Sequence, residues 1–323
     1  MSHASATGAL RVALLGSTGT IGGATARALA ERGHHVIRFN RGTATAPDGE
    51  SRAVDFADPA SIASQGFRGE RFDAVISCMA SRTGAPADAW AVDHRAHLNA
   101  LAASQGAGVA HFALLSAICV QRPQLEFQRA KLAFESALAN SGVRYSIVRP
   151  TAYFKSLAGQ FGRVKRGRPF VMFGDGALTA CKPISDADLA GYLVDCLTDE
   201  TRWNRIAPIG GPGPALTPRA QGELMFEALG MKPRFRSAPV GLLDAVIAGL
   251  GLAGRIAPAM RDKAELARIG RYYATQSMLV FDAQTGRYDA DATPETGRET
   301  LGDFFKSLAA GAPPPDRGDH AVF

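Results

Sequence analysis

Residues 126–135 read EFQRAKLAFE and place Phe127 one helical turn before Lys131, on the same face. A tyrosine four residues before a lysine is an arrangement that carries out carbonyl reduction. Hydride addition leaves charge on oxygen, and the phenol acts as general acid to neutralise it. Phe127 has no hydroxyl, so this chain keeps the cation and lacks the acid. Alcohol and ketone chemistry is disfavoured, and reduction of a conjugated carbon–carbon double bond stays open. There hydride adds to carbon, the surplus charge spreads into the π system, and a slower proton can come from water or another side chain. The flat ring of Phe127 would suit a flat apolar substrate. Ser116 closes the strand-like run HFALLS eleven residues before Phe127. It should lie at the carboxyl edge of a sheet, where ligands of such folds sit.

The hydride source is legible earlier in the chain. GSTGTIG spans Gly16, Ser17, Thr18, Gly19, Thr20, Ile21 and Gly22, directly between an apolar strand run and a helical pattern. Glycines there permit a tight turn, close approach of backbone to a pyrophosphate, and close helix-on-strand packing. The helix N-terminus then offers unpaired N–H groups to the phosphates. The next strand ends at Asn40 and is followed by Arg41, with no acid where a ribose-binding carboxylate would stand. A guanidinium can grip a 2′-phosphate in a forked contact, so NADPH is expected rather than NADH. Asp55 can lie near the adenine or simply cap an exposed turn. Lys131 and Ser116 would orient the nicotinamide.

These residues need a frame. LRVALLG, HVIRFN, AVDFAD, DAVISCM, HFALLSA and YSIVRP read as strands, alternating with helical stretches such as TIGGATARALAERG and FQRAKLAFESALANSG. The alternation predicts an α/β fold with a Rossmann-type, doubly wound parallel sheet over residues 9–155. A smaller substrate-binding region over 156–310 should be partly interleaved with that sheet, and 311–323 should be an extended tail. VGLLDAVIAGLGLAG, residues 240–254, is read first as a core helix; covering a substrate or touching a membrane are the alternatives.

The chain has 323 residues, 46% hydrophobic and 20% charged, which is an ordinary globular composition. The net charge of +6 comes without a basic block, so nucleic acid is not an expected partner. Cys78, Cys119, Cys181 and Cys196 are scattered, which argues against disulfides, zinc or iron–sulfur clusters. His94 and His97 share helical spacing but lack a third ligand nearby, so no metal is expected. The eight residues MSHASATG precede the first strand without a targeting pattern, which points to a bacterial cytoplasmic enzyme.

SCMASRTG (77–84), HFALLSAICVQRPQLEFQRAKLAFE (111–135), YSIVRPTAYFKSLAGQ (145–160), FVMFGDGALTACKPIS (170–185) and IGRYYATQSMLVFD (269–282) together resemble the divinyl chlorophyllide 8-vinyl reductases. These are NADPH-dependent, atypical short-chain dehydrogenases. The resemblance implies reduction of a tetrapyrrole vinyl group to ethyl in chlorophyll or bacteriochlorophyll formation. It also implies that Phe in the Tyr slot is the family's own pattern. The long amino-terminal extension of plant members is not seen here, in line with a bacterial origin. Tyr153, Phe154, Lys155 and Cys119 are then the expected substrate contacts, with Tyr153 the leading proton donor. Arg163, Lys165, Arg166 and Arg168 could anchor a propionate carboxylate. Two rivals stand beside this reading: a non-catalytic NADP sensor and a reductase of another conjugated alkene. Oligomeric state and peripheral membrane contact are left open by the sequence.

Overall fold

The computed structural model describes residues 8–42, 49–257 and 259–314. The chain runs β1 (Arg11–Leu15), α1 (Thr20–Glu31), β2 (His35–Asn40), β3 (Glu50–Ala53), α2 (Pro59–Ser61) and β4 (Ala74–Ser77). One long helical stretch follows: α3 (Pro86–Ala89), a π-helical turn (Trp90–Ala96) and α4 (His97–Gly106). Then come β5 (His111–Leu115), α5 (Glu126–Ala139), β6 (Arg144–Pro150), α6 (Phe154–Leu157), α7 (Phe161–Lys165), β7 (Phe170–Phe173), α8 (Asp186–Asp195) and β8 (Arg205–Ile209). The remainder is α9 (Pro218–Ala228), β9 (Phe235–Ala238), α10 (Gly241–Ala253), α11 (Ala259–Thr275), β10 (Val280–Asp282), β11 (Arg287–Asp289) and α12 (Leu301–Ala309).

Seven strands form one parallel sheet in the order β3-β2-β1-β4-β5-β6-β8. The order reverses between β1 and β4, which creates the crevice where ligands of doubly wound sheets bind. Both faces are covered, so the strands read as continuous apolar runs. Alternate residues of β1 separate accordingly. Ala13 and Leu15 join Phe39, Phe72, Phe112 and Phe134 on one face, while Val12 and Leu14 join Leu29, Ile76 and Val194 on the other. A separate apolar cluster beyond the sheet gathers Phe154, Phe161, Phe170, Met225, Phe226 and Phe305. β8 and α8 return to the first sheet, β8 beside β6 and α8 against α1.

Two expectations need correction, and a third falls mostly outside the described residues. The third strand is Glu50–Ala53, ahead of most of AVDFAD; residues 55–58 are a turn in which the Asp55 carboxylate accepts from the Ala57 N–H at 2.8 Å. Val54 and Phe56 are buried from this turn, and their alternation imitates a strand. Second, α10 is not a core helix: none of its residues is buried, and Leu242 and Leu252 are 55% and 64% exposed. Apolarity alone does not say whether a neighbour exists, and α10 packs on α11 with only one side. Third, of the tail expected at 311–323, residues 315–323 lie outside the described residues.

Two buried imidazoles tie the frame to pH. His97 lies against the Ser77 hydroxyl (2.9 Å) and the Val92 carbonyl (2.8 Å), and His111 against Ser146 (3.0 Å). Burial, aided by Lys131 at His97 and Arg144 at His111, holds both at about 4 against an ordinary 6.5. The native state therefore keeps them neutral while the unfolded chain takes up protons below 6.5. Stability is full above that pH and is lost as pH falls toward 4. Between pH 7 and 5 the loss should be roughly 2 kcal/mol per imidazole. Urea unfolding at the two pH values checks this, and His111→Gln should flatten the dependence; an unchanged slope would refute it.

Candidate active site

The β1–α1 turn leaves no room for side chains. Gly16 has φ of +74°, and a Cβ there would sit 2.7 Å from the Met79 N. A Cβ on Gly22 would fall onto the Gly16 carbonyl oxygen. Gly19 caps α1, and its N–H donates to the Gly16 carbonyl at 3.2 Å. Ile21 is buried among Leu115, Val148, Ile184 and Leu189 and roots the helix start in the core. Thr18 and Gly19 are exposed, so the loop's crown faces outward. The Ser17 hydroxyl donates to Asn40 Oδ1 at 2.7 Å, and Asn40 Nδ2 donates to Ser51 at 3.0 Å. That chain locks the loop to the end of β2, and Arg41 follows, exposed. A dinucleotide fits this cradle: the space a Cβ would fill is the space a pyrophosphate approaches, at the positive end of α1. The carboxylate of Asp55 is tied to its own turn, and it reaches no further group among the described contacts.

Lys131 projects from α5 into a buried pair, its Nζ 2.9 Å from Asp93 Oδ1, with the side chains 12% and 0% exposed. Asp93 sits in the π-helical turn of 90–96 and also accepts from the Ser81 hydroxyl at 2.6 Å. A π turn re-aims the side chains it carries, and such turns gather at functional sites. With one of three N–H donors on Asp93, Lys131 is held in a single orientation beside Ser116. These residues line one narrow cleft with His97. Ser116, expected to orient the nicotinamide, donates its hydroxyl to Glu135, which also receives Arg149, and keeps its oxygen lone pairs as acceptors. A buried carboxylate collects donors, and Ser116 is drawn to it.

Phe127 is 8% exposed and packs with Leu125, Ala130, Tyr272 and Ile269. It forms a floor beneath the site and not the open face expected to stack on substrate. Gly84, with φ of +69°, lets Ile269 of α11 close over it; a Cβ there would meet Ile269 at 2.8 Å. Phe154 is corrected likewise: it is 3% exposed, packed in the second apolar cluster beside Phe304. Lys155, expected to contact substrate, donates its Nζ to Thr20 Oγ1 at 2.7 Å, at the start of α1. Of the basic run 163–168, Arg163 is bound to the Pro169 carbonyl at 2.9 Å, while Lys165, Arg166 and Arg168 are exposed.

Cys119 is buried, and its carbonyl receives Tyr272 Oη at 2.9 Å and Gln128 Nε2 at 3.1 Å. Tyr273 Oη points to the Cys119 sulfur at 3.9 Å although 40% of the residue is exposed. Tyr153 lies within electrostatic reach of Cys78, Cys119 and Tyr273. Burial raises both phenols well above their ordinary values and pushes Cys78 up to about 12, so all of them stay protonated at neutral pH. Asp93, Glu135 and Tyr273 thus contact candidate site residues and are candidates that the sequence reading missed. An acid inside the apolar helix AWAVDHRAHL was the available signal for Asp93; Tyr273 had none beyond lying in a helical pattern. His94 packs edge-on against Trp90. A surface concavity between Ala60, Ala63, Ala102 and Gly106 is at the opposite, amino edge of the strands.

Residues 16–200 match the NAD(P)H-binding family. The chain is 46% identical over 332 residues to a Cucumis sativus protein named divinyl chlorophyllide a 8-vinyl-reductase, chloroplastic, covering 97% of this chain and 79% of that protein. A protein of the same name from Oryza sativa subsp. indica is 46% identical over 331 residues, covering 97% and 82%. An NADPH-dependent quinone oxidoreductase from Escherichia coli, solved with NADPH, superposes with a TM-score of 0.65 at 18% identity, covering 92% of this chain and 99% of that one. At that identity the likeness shows the fold alone. The expectation of a bacterial cytoplasmic enzyme is overturned, because the plant relatives are named as chloroplastic. That expectation rested on the few residues before β1, which carry too little pattern to assign a compartment.

Removing Lys131 leaves a buried, unpaired Asp93, so Lys131→Ala should cost about 3–5 kcal/mol of stability and most NADPH oxidation. Adding Asp93→Asn should restore most of the stability and none of the oxidation. Denaturant melts and turnover read the two apart; recovery of turnover in the double variant would remove Lys131 from the chemistry.

Proposed function

The chain belongs to the divinyl chlorophyllide 8-vinyl-reductase family, and on that premise we propose that it uses NADPH to reduce the 8-vinyl group of a divinyl chlorophyllide to ethyl, on the way to chlorophyll or bacteriochlorophyll. The observation that carries this reading is 46% identity over 97% of the chain. When bound, the reduced nicotinamide supplies the hydride.

The protein's own residues do the rest. Gly16, Gly19 and Gly22 admit the pyrophosphate, and Arg41 suits the 2′-phosphate. Lys131, fixed by Asp93, holds a positive charge where the nicotinamide ribose would lie. Phe127 and Ile269 keep the floor of the site apolar, which suits a macrocycle and not a carbonyl oxygen. The proton that completes reduction can come from Tyr153, or from Tyr273 across Cys119, phenols that hold their protons at neutral pH. Residues 156–310 are proposed to carry the pigment-binding surface, with the exposed cations of 163–168 toward its carboxylate. The exposed apolar face of α10, whose lone acid Asp244 is paired with Arg271, supports peripheral contact with a lipid surface. Among the described residues no helix is long and apolar enough to cross a membrane.

Purified protein given divinyl chlorophyllide and NADPH should shift the Soret band to the blue while NADPH is consumed, and Phe127→Tyr should not accelerate it. Binding of NADPH with no consumption would favour a sensor; consumption only with another conjugated alkene would favour that substrate. For α10, Leu242→Ser with Leu252→Ser should reduce co-sedimentation with lipid vesicles; unchanged sedimentation would dismiss the contact.

A further inference from the structure

Lys155 lies 135 residues from Thr20 in the chain, yet its Nζ donates to the Thr20 hydroxyl at 2.7 Å. Thr20 is the first residue of α1, a helix of 12 residues whose first turn carries no acid. The lysine therefore stands at the mouth of the phosphate cradle, where the N–H groups of α1 already favour an anion. It is not a loose surface side chain. Its segment is pinned by the two residues just before it. Tyr153 bridges to Ile184, the Phe154 N–H donates to the Ile184 carbonyl at 3.2 Å, and the Phe154 ring is buried in the second apolar cluster.

The donor arithmetic fits an absent anion. Lys155 has three N–H donors and gives one to Thr20; because Thr20 accepts that bond, its own hydroxyl proton stays available to donate. The acid nearby does not claim the lysine. Asp186, at the start of α8, feels Lys155 and Arg27 as neighbouring cations, yet its Oδ1 is buried without a hydrogen-bond partner. Lys155 thus brings a positive charge to the N-terminus of α1, while the one acid it shares with Arg27 is an incompletely bonded carboxylate.

We propose that Lys155 binds the pyrophosphate of the dinucleotide. The inference rests on reading the cradle as the NADPH site and goes beyond it, because it moves this residue from substrate to cofactor. It also gives cofactor binding a second effect. Lys155 is two residues from Tyr153, so pyrophosphate bound to it would steady the strip that carries this phenol before substrate arrives.

The test is titration of the full chain with NADPH by fluorescence, alongside adenosine 2′-monophosphate, which keeps the 2′-phosphate and lacks the pyrophosphate. Lys155→Met and Lys155→Gln should each weaken NADPH by about tenfold or more, the scale of one lost charge-assisted bond. Both should leave adenosine 2′-monophosphate within about twofold of wild type. Lys155→Arg should recover most of the NADPH affinity, and Arg41→Ala should weaken both ligands. Hydrogen exchange over residues 152–158 should slow on NADPH addition in the wild type and not in Lys155→Met. NADPH affinity unchanged in both neutral variants would overturn the proposal, as would equal loss of both ligands, which marks a lysine that only props the loop. A wild-type chain that fails to bind NADPH would instead overturn the reading of the cradle, and this inference with it.

Discussion

Everything at the carboxyl edge of the sheet depends on one backbone contact, that between Gly22 and Gly16. With hydrogen alone on Gly22, the first turn of α1 can lie against the carbonyl of Gly16; with any side chain it cannot. That contact sets the direction of α1 and hence where its positive end is aimed. Three later events are referenced to it: Ser17 reaches Asn40, Lys155 reaches Thr20, and α8 packs along the helix. A methyl group at this point would displace cofactor loop, second strand and substrate strip together.

Around that turn the site is assembled from charges buried in pairs. Lys131 with Asp93 and Arg149 with Glu135 flank the ends of β5 and β6. Buried ion pairs are weak contributors to net stability, but each is costly to break singly, which makes them good devices for holding one geometry. The chemistry proposed for the site is consistent with this division. Charge is fixed beside the cofactor position, while the floor under the substrate is apolar and without a hydroxyl at residue 127. A carbonyl would need an acid at that place; an olefin whose surplus electrons enter a macrocycle does not.

The far side of the molecule follows other rules. α10 and α11 form a hairpin whose inner face serves the site through Ile269, Tyr272 and Tyr273, and whose outer face presents leucine and valine to the surroundings. The same hairpin thus packs on the Phe127 cluster and exposes a strongly apolar helix. A soluble monomer rarely leaves such a face uncovered without use.

The sequence by itself determined the parallel α/β frame, the glycine cradle, the preference for a phosphorylated dinucleotide and the absence of a phenol at residue 127. These are local properties: apolar runs, turn-forming glycines and i, i+4 spacing act between neighbours in the chain. It misread Val54 and Phe56 as strand, since alternation reports burial and not hydrogen bonding. It could not decide where side chains from distant segments meet. Only the tertiary structure turned Ser116 toward Glu135, sank Phe154 into a second core, set Lys155 on Thr20, and brought Tyr273 across to Cys119. The reason is that a side chain's partner is chosen by whichever donor, acceptor or apolar surface the packing of whole elements delivers to it. That delivery is set by contacts whose span runs from 19 residues at Ser116 and Glu135 to 154 at Cys119 and Tyr273, which no spacing rule encodes.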